Sequence, residues 1–572
     1  MGTGTGGDAI AAILAAEGVG TVFGIVDGTY VQLCAALRDR GIALVTPRHE
    51  TTAVHMAAAH ARLTGGLGVV IASNGPGVAN ALPGVAVENA EGNRVLLVTS
   101  SRRTGITYPD RGGTYQYFDH VGVIAPMAKW SASAQSAGRV PELTRSALRA
   151  CWDGRPGVVH LDVAEDLVNG PLEPAPAVQD PSAYRRVEPI PPPPHQVERA
   201  ADLLTGPDLA AIHAGGGVLH ARAWDELERV AAALHAPVTT SWSGRGAIAE
   251  TSPLAWPMPL VDAVDAVHRE ADAVLCVGSR LGETDWWAKA PNWAPPARQH
   301  LVHVDVDDAA LGRNRPATLA VLADAKLFLA ALADRLEQRS FGPGPERLAA
   351  VSRLQGDRDA ARRELDTMLA DTATPMSTAH VADTANSVFP DDAVAVFDGG
   401  NTAVWGHFFH RVRSPGTVLS TPHMGMLGAG MGQALGAAVA RPGTPVYCIT
   451  GDGAFGMHPQ EVETAVRHDL PVVFVVVADR QWGMVKLTQS IALGGAEAVN
   501  ADLGEIRYDD LARSMGAHGE RVADPAELAP ALRRCLDSGR ASVVHVDVDP
   551  AKHLFAPGLV HFKKMHEEPA GT

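Results

Sequence analysis

Residues 445–484 constrain the fold of this chain more than any other stretch. Residues 446–449 (VYCI) form a short apolar run that predicts a buried strand, and this strand ends at the GDG sequence of residues 451–453, where two glycines permit a tight turn. We expect a helix from about residue 458 to residue 468, and then a second buried strand over residues 470–477. Strand, glycine turn, helix and strand form a parallel βαβ unit.

Two acidic residues follow the strands of this unit. Asp452 lies in the glycine turn, and Asp479 stands at the end of the second strand. Ligands of such sheets bind at the carboxyl ends of the strands, and the N-terminus of the intervening helix favours an anion there. Because hard oxygen ligands beside a diphosphate are what Mg2+ prefers, the pattern predicts a metal–diphosphate site. A purely structural turn is the alternative.

The spacing of this unit resembles that of a known cofactor motif. The GDG sequence, 25 further residues (454–478) and an acidic residue ahead of a Gly-Met pair resemble the thiamine diphosphate (ThDP) motif, and most of all that of the acetohydroxyacid (acetolactate) synthase branch. The resemblance implies that Mg2+ is bound by Asp452, Asp479 and the main-chain carbonyl of Gln481. It also implies cofactor contacts from Gly451, Gly453, Ala454, Gly483 and Met484. Asp479 replaces the Asn that is usual in that branch, and it adds a negative charge beside the diphosphate.

Length and composition set the broad class of the protein. The 572 residues suggest three or four domains, and 46% hydrophobic with 20% charged residues is ordinary for a globular protein. The formal charge of −16 argues against nucleic acid as a partner, and no apolar run is long enough to span a membrane. The chain begins MGTGTGGDAI, which does not resemble a signal peptide, and its five cysteines are scattered without a CxxC pair. We therefore expect a cytoplasmic protein with reduced thiols.

Strands and helices alternate along the chain, which predicts α/β domains with doubly wound parallel sheets. Two proline-rich segments are predicted to be linkers: a strong one at residues 171–194 and a weaker one near residues 341–345. They divide the chain into a first domain (1–170), a linker (171–194), a middle domain (195–340), a second linker (341–375), a third domain (376–550) and a tail (551–572).

The first domain contains a carboxylate at a strand end. Glu50 stands just before an apolar helix, where desolvation can keep a carboxyl group neutral; an exposed helix cap is the alternative. Four stretches resemble the pyrimidine-binding domain of acetohydroxyacid synthase-type ThDP enzymes: residues 23–28, residues 48–50, residues 75–77 with Asn80, and Gln116. The resemblance implies that Glu50 hydrogen-bonds N1′ of the cofactor's aminopyrimidine and belongs, with Asn80, to the cofactor site. It implies that Gln116 faces the substrate.

The same resemblance bears on assembly and on one turn. It implies that Glu50 reaches the cofactor of a neighbouring subunit, so that a homodimer is the smallest active unit and a homotetramer the expected assembly. The turn at Gly28 approaches the reacting centre in that family, which makes Gly28 a candidate catalytic position. Asp27 departs from the family's Pro-Gly-Gly there, and it either alters the substrate pocket or lies on the surface.

The third domain carries two glycine-rich stretches. Residues 398–403 (DGGNTA) follow a predicted strand and offer backbone N–H groups and a hydroxyl to phosphate oxygens. The resemblance assigns Asn401 and Thr402 to the diphosphate. In residues 425–432 (GMLGAGMG) the closely spaced glycines, Gly425 among them, would let the backbone run against the cofactor. There the resemblance makes Leu427 the wedge that bends the cofactor, with ordinary core packing as the alternative.

The middle domain holds a weaker signal. Residues 278–280 (GSR), Asp305 and Asp307 resemble positions at the nucleotide site of related enzymes. Residues 215–217 (GGG) could approach a phosphate, but a lone glycine run is a weak signal. The Gly-Met-His-Gly element of FAD-binding synthases is not visible near residues 256–264. FAD is therefore an open alternative without support, and a structural domain with an empty cleft is favoured.

The resemblance covers nearly the whole chain and implies an enzyme. The implied reaction is decarboxylation of a 2-oxo acid, pyruvate by default, and addition of the resulting carbanion equivalent to a second carbonyl compound, giving an acyloin or a 2-hydroxy-2-alkyl acid. Thr488 stands where the synthase has a Trp, which argues against ordinary branched-chain amino-acid biosynthesis. The alternatives are an oxalyl-CoA decarboxylase or 2-hydroxyacyl-CoA lyase-like enzyme, an FAD-dependent pyruvate oxidase-type enzyme and a non-catalytic ThDP-fold binding protein. His423 could relay protons, and the tail at residues 561–564 could close over the site.

Overall fold

Three six-stranded parallel sheets follow one another along the chain. The computed structural model describes residues 4–107, 110, 112–173, 177–494 and 498–559. The tail residues 561–564 lie outside these ranges. Within them, no helix has the length and apolar character that a membrane span requires.

The first sheet has the strand order β3-β2-β4-β5-β7-β6, and a two-residue antiparallel pair, β1 with β8, lies beside it. The strands are β1 (Gly4–Thr5), β2 (Thr21–Gly24), β3 (Ala43–Val45), β4 (Gly68–Ala72), β5 (Val95–Ser101), β6 (Trp130–Ala134), β7 (Val158–Ala164) and β8 (Pro171–Leu172). The helices are α1 (Gly6–Ala16), α2 (Val31–Asp39), α3 (Glu50–Thr64), α4 (Pro76–Glu91), α5 (Thr104–Thr107), α6 (His120–Ile124), α7 (Arg139–Trp152) and α8 (Glu165–Asn169).

The middle sheet has the order β11-β10-β9-β12-β13-β14, which is the nucleotide-binding order 3-2-1-4-5-6. Its strands are β9 (Ala210–Ala214), β10 (Val238–Thr240), β11 (Ala255–Trp256), β12 (Ala273–Val277), β13 (His300–Asp305) and β14 (Leu319–Leu322). Its helices are α9 (Pro194–Thr205), α10 (Gly216–His220), α11 (Trp224–Leu234), α12 (Val261–Glu270), α13 (Ala325–Gln338) and α14 (Pro345–Asp366).

The third sheet has the order β16-β15-β17-β18-β20-β19. Its strands are β15 (Val394–Phe397), β16 (Val418–Ser420), β17 (Val446–Gly451), β18 (Val472–Ala478), β19 (His518–Val522) and β20 (Ser542–Asp547). Its helices are α15 (Ala379–Val388), α16 (Gly400–Phe409), α17 (Ala429–Ala440), α18 (Asp452–Phe455), α19 (Glu461–Arg467), α20 (Gly483–Ala492), α21 (Tyr508–Ser514), α22 (Pro525–Asp537) and α23 (Pro550–His553).

The first and third sheets share one topology. Counted along the chain, the strands of each sheet lie in the order 2-1-3-4-6-5, so the two domains are structural repeats. In the third sheet β15 and β17 are neighbours whose connections leave in opposite directions, and such a reversal opens a ligand crevice at the carboxyl ends of the strands. The prediction of three doubly wound α/β sheets is confirmed.

Helices α3 and α17 join the two repeats, whose inner sheet faces share one apolar core. A Cβ atom at Gly432 would lie 2.7 Å from His55 Cβ, and one at Gly436 would lie 2.3 Å from the Met56 carbonyl oxygen. Only glycine allows so close an approach. The sequence predicts that the glycines of residues 425–432 run against the cofactor; in the structure Gly432 packs against α3.

Two further expectations differ from the structure. The helix predicted over residues 458–468 is shorter than expected: α19 covers Glu461–Arg467. A separate short helix, α18 (Asp452–Phe455), lies in the predicted glycine turn, and turns that include Pro459 connect the two helices. Residues 341–375, predicted as a linker, are largely helix α14, whose Val351 and Leu354 are buried against the middle core.

Candidate active site

The ends of β17 and β18 bring two carboxyl groups together. Asp452 begins α18 and Asp479 follows β18, and both side chains are buried. Asp452 accepts hydrogen bonds from the backbone N–H groups of Gly453 and Arg480, each at 2.8 Å. Burial and the neighbouring charge of Asp452 raise the pKa of Asp479 to about 8, and burial also raises the pKa of Asp452. Two buried carboxylates in contact repel each other, and a divalent cation bound between them would remove this repulsion.

Gln481 lies between this pair and helix α20. Its side chain is buried and its Nε2 donates to the Pro550 carbonyl oxygen at 2.7 Å, which joins the turn to α23. Gly483 begins α20, and a Cβ atom there would lie 3.2 Å from Asp479 Oδ2 and 3.3 Å from Asn401 Nδ2. Glycine thus lets three neighbouring loops meet at this point.

The loop after β15 completes the polar side of the site. Asn401 and Thr402 are buried in the first turn of α16. A Cβ atom at Gly451 would lie 2.9 Å from Thr402 Oγ1, so the end of β17 touches this turn directly. Gly453 packs similarly close to the ring of Trp482, at 2.7 Å from a Cβ atom to Cζ3. Because Thr402 and Trp482 lie this close, residues 451 and 453 of the GDG turn must both be glycine.

Residues 421–428 form a loop that lies against Gly399 and Gly400, the glycines of the turn after β15. A Cβ atom at Gly399 would lie 3.1 Å from Leu427 Cδ2, and one at Gly400 would lie 3.3 Å from it. Gly425 has a φ of 57°, a left-handed conformation that suits glycine. The carbonyl oxygen of Ala454, in α18, lies 3.3 Å from a Cβ atom at Gly428. Leu427, which the sequence resemblance predicts to be the wedge, thus packs over the strand end.

Two buried carboxyl groups hold the loop from opposite sides. Glu91, at the end of α4, accepts hydrogen bonds from the backbone N–H groups of His423 at 2.8 Å and Met424 at 3.1 Å. Asp398 accepts one from the Gly428 N–H at 2.9 Å. Burial and the charge of Glu88 raise the pKa of Glu91 to about 8, and burial raises the pKa of Asp398 to about 6.

The first domain contributes a separate polar group. Glu50 is buried at the first turn of α3, and Asn80 Nδ2 donates to its Oε2 at 3.1 Å. A Cβ atom at Gly77 would lie 3.3 Å from Glu50 Oε1. Thr52 and His55 of the same helix pack against α17. Glu50 is therefore a desolvated carboxyl group rather than an exposed helix cap.

Gln116 and Gly28 lie at other loops of the first sheet. Gln116 is half-buried with a φ of 54°, and its carbonyl oxygen accepts a hydrogen bond from Asn74 Nδ2 at 3.3 Å. Gly28 is exposed and begins a one-turn helix that ends at the buried Tyr30, and Asp27 caps that turn by accepting the Thr29 N–H at 2.8 Å. Asp27 is thus an exposed turn residue in the single chain.

Comparison with known proteins identifies this arrangement. Three thiamine pyrophosphate enzyme family models match the chain: the N-terminal TPP binding domain over residues 4–123, the central domain over residues 197–332 and the C-terminal TPP binding domain over residues 398–546. A probable acetolactate synthase large subunit of Methanocaldococcus jannaschii is 30% identical over 96% of this chain and 93% of its own length. The chain belongs to the acetolactate synthase-like ThDP enzymes.

Other relatives cover the chain to a similar extent. The acetolactate synthase isozyme 2 large subunit of Escherichia coli is 29% identical over 95% of this chain and 95% of its own length. A sulfoacetaldehyde acetyltransferase of Castellaniella defragrans is 28% identical over 93% of this chain and 91% of its own length. The relatives are therefore named for different activities.

The polar residues of the third domain fit ThDP and a metal ion. Among the described residues, Asn401 Oδ1 and Asp479 Oδ2 are buried without a hydrogen-bond partner. Buried polar atoms in folded proteins are nearly always paired, so these two oxygens suit a bound group that supplies a cation or donors. They lie at the glycine turns where an acetolactate synthase-like enzyme would hold its cofactor.

An apolar cavity of about 530 Å3 adjoins these turns. Gly399, Gly400 and Gly425 border it, and Met484 and Thr488 of α20 lie at its wall. Trp242, from the middle domain, is part of the same wall. In a ThDP enzyme a cavity beside the cofactor turns is the natural place for substrate.

A second cavity, of about 180 Å3, lies between the first and middle domains. Ser279, Arg280 and Asp305 line it, as does Gly216. His423 also lines this cavity, and its Nε2 lies 2.9 Å from Ser243 Oγ. The side chain that the sequence suggests as a proton relay therefore contacts the middle domain.

Sequence reasoning missed one buried cation next to the site. Arg245 pairs with Glu250 at 2.9 Å and donates to His407 and to the His410 carbonyl oxygen. It joins the middle domain to α16, the helix that carries Asn401. Glu250 is close to Arg245 in the sequence, but the partners His407 and His410 are 162 and 165 positions away, so the sequence does not mark this residue.

Proposed function

We propose that this enzyme uses ThDP and Mg2+ to decarboxylate a 2-oxo acid, with pyruvate as the default donor, and to join the remaining acyl carbon to a second carbonyl compound. The buried pair Asp452 and Asp479, with its unpaired oxygen beside Asn401, carries the proposal. When bound, ThDP stabilises the carbanion that decarboxylation leaves. The protein supplies binding, orientation and a dry cavity.

In the third domain each residue has one proposed role. Asp452, Asp479 and the Gln481 carbonyl oxygen would hold Mg2+. Asn401, Thr402 and the turns at Gly451, Gly453, Ala454, Gly483 and Met484 would hold the diphosphate. Gly425 and Leu427 would shape the cofactor, since Leu427 packs directly over Gly399 and Gly400.

The first domain would act on the other end of the cofactor. Glu50, oriented by Asn80, would hold a proton at N1′ of the aminopyrimidine. We propose that it does so across a homodimer interface, within a homotetramer, and that Gln116 and Gly28 face the substrate there. Burial of Glu50 in a single chain supports the first role, because a side chain shielded from water can hydrogen-bond a cofactor atom without competition from solvent.

A donor assay tests the proposal. Purified protein is incubated with ThDP, Mg2+ and a panel of free 2-oxo acids that includes pyruvate, and CO2 release is measured. We expect release that requires both cofactors and that Asp452→Asn abolishes. Failure to release CO2 from any member of the panel, with ThDP shown to be bound, would contradict the proposal and favour a CoA-thioester substrate.

A further inference from the structure

The apolar cavity beside the cofactor turns is uncharged. Gly399, Gly400 and Gly425 border it, Val404 and Leu559 add apolar surface, and the remaining lining comes from aromatic, small polar and further apolar side chains. None of the described residues that line it is Asp, Glu, Lys or Arg. Among the described residues, a substrate group in this cavity therefore meets no side chain with a fixed charge.

Three rings form one wall of the cavity. The Trp242 and His407 ring centroids lie 5.4 Å apart with the planes at 72°, and those of Phe397 and His407 lie 4.9 Å apart at 62°. Edge-to-face contacts of this kind fix the rings relative to one another. The wall is a rigid apolar surface that spans the middle and third domains.

His407 does not supply a positive charge to this wall. Arg245 Nη1 lies 3.0 Å from His407 Nδ1, and because a guanidinium only donates, Nδ1 must be the acceptor. The imidazole then carries its proton on Nε2 and is neutral. Burial and the charge of Arg245 hold the pKa of His407 well below its ordinary value. The charge of Arg245 is itself balanced by Glu250, with both carboxylate oxygens engaged.

The described residues of the first domain that are proposed to face the site bring no cation to it. Gly28 and Gln116 are uncharged, and Glu50 is a carboxyl group. Arg102 and Arg103, which follow β5, both pair with Glu165. An anionic acceptor would thus bring its carboxylate into a cavity without a partner among the described residues, and burying an unpaired charge is strongly unfavourable.

We propose that the acceptor is an uncharged aldehyde or ketone with an apolar substituent, and that the product is a neutral α-hydroxyketone. This inference rests on the proposed function. The donor's bond to its carboxylate breaks and CO2 leaves, while the electron pair stays on the former carbonyl carbon. That carbon forms a new bond to the acceptor's carbonyl carbon, and the acceptor oxygen takes up one proton from solvent. The donor has lost its carboxylate as neutral CO2 before the acceptor reacts. An acceptor 2-oxo acid would keep its carboxylate in the cavity.

A matched pair of acceptors tests the charge. The holoenzyme receives a donor from which it releases CO2, together with either 4-methylbenzaldehyde or 4-carboxybenzaldehyde, and the ligated product is measured by mass spectrometry. The two aldehydes have similar size and differ in charge. We expect kcat/KM for the methyl compound to exceed that for the carboxylate at least about 10-fold, as a buried unpaired charge requires. Equal use, or preference for the carboxylate, would overturn the inference, and absence of CO2 release would instead refute the proposed function.

A variant at the cavity mouth ties the preference to this cavity. Thr488 is exposed there, and its hydroxyl donates only to the Met484 carbonyl oxygen of its own helix. Thr488→Lys adds an ammonium group, and Thr488→Met adds similar length without charge. We expect the lysine variant to shift the ratio of the two aldehydes toward the carboxylate about 10-fold, since opposite charges attract in a low-dielectric site, and the methionine variant to leave it unchanged. An unchanged ratio in both variants, with CO2 release intact, would place the acceptor elsewhere.

Discussion

His553 Nε2 lies 3.6 Å from Asp479 Oδ2, and His553 Nδ1 lies 2.8 Å from Thr378 Oγ1. The carbonyl oxygen of the same histidine accepts hydrogen bonds from Asn401 Nδ2 at 2.9 Å and Trp405 Nε1 at 3.0 Å. Helix α23 therefore supports both the proposed metal ligand and the proposed diphosphate ligand. His553 is a positioning residue in this account.

The first prediction concerns this pair. His553→Ala removes the neighbour of Asp479 Oδ2, and loss of such an outer contact typically weakens metal binding about 10-fold or more. The affinity is measured as the Mg2+ dependence of ThDP binding, followed by quenching of tryptophan fluorescence. In an Asp479→Asn background the same substitution should have a much smaller effect. An equal factor in both backgrounds would show that His553 only stabilises the fold.

Glu50→Gln tests the proposed proton-handling group. The amide keeps the size of the side chain, and its oxygen can still accept from Asn80, so fold and ThDP affinity should be retained. The rate of CO2 release should fall by about 100-fold or more, which is typical for loss of an acid–base group. The measurement is kcat alongside ThDP binding; full turnover with normal binding would remove Glu50 from the mechanism.

Mixing two inactive variants tests whether the site is shared between subunits. Glu50→Gln and Asp452→Asn alter different domains, so a mixed dimer would contain one site with neither change and one with both. We expect CO2 release to return when the two proteins are co-expressed and purified together by different tags. A mixed dimer as inactive as its parents would place both residues in one chain's own site.

Glu91 should make stability depend on pH. Its pKa is raised to about 8 from an ordinary 4.5, so between these values the folded state holds a proton that the unfolded state has released. Stability contributed by the group is therefore full below about pH 4.5 and is lost as the pH rises toward 8, at up to about 1.4 kcal/mol per pH unit. Glu91→Gln keeps an acceptor for His423 and Met424 and should raise the melting temperature increasingly from pH 5 to pH 8. A constant difference across that range would contradict this.

Arg245 should be sensitive to substitution because its ion pair is buried. Arg245→Ala leaves Glu250 buried without its partner, and such a change typically costs about 3–5 kcal/mol. Arg139→Ala is the matched control, because its pair with Glu142 is exposed and worth about 0–1 kcal/mol. Thermal denaturation by circular dichroism should show a large fall for the first variant alone. Similar melting temperatures for both would show that Arg245 is dispensable.

Much of the site was predictable from short motifs. The turns at Gly451, Gly453 and Gly399 demand glycine because a neighbouring loop occupies the space of a Cβ atom. Such local constraints survive in sequence, as does the alternation of strands and helices that indicates the fold class. Asp452 and Asp479 could be placed at adjacent strand ends for the same reason.

The remaining features depend on contacts between distant segments. His553 reaches Asp479 only because α23 folds back beneath β18, and nothing around residue 553 marks it. Helix α14 is rich in charged residues and buries few side chains, so its apolar pattern is weak and it resembles a linker. Sequence periodicity predicts a helix when a whole apolar face is buried. It does not detect a helix that buries only a few apolar side chains, such as Val351 and Leu354.

One product analysis tests the central claim most directly. The holoenzyme is given pyruvate labelled with carbon-13 at C2 together with an uncharged aldehyde, and CO2 and products are quantified by mass spectrometry. We expect one molecule of a ligated α-hydroxyketone, labelled at the new carbon–carbon bond, for each CO2 released. Release of CO2 with labelled acetate or free acetaldehyde in place of a ligated product would contradict it.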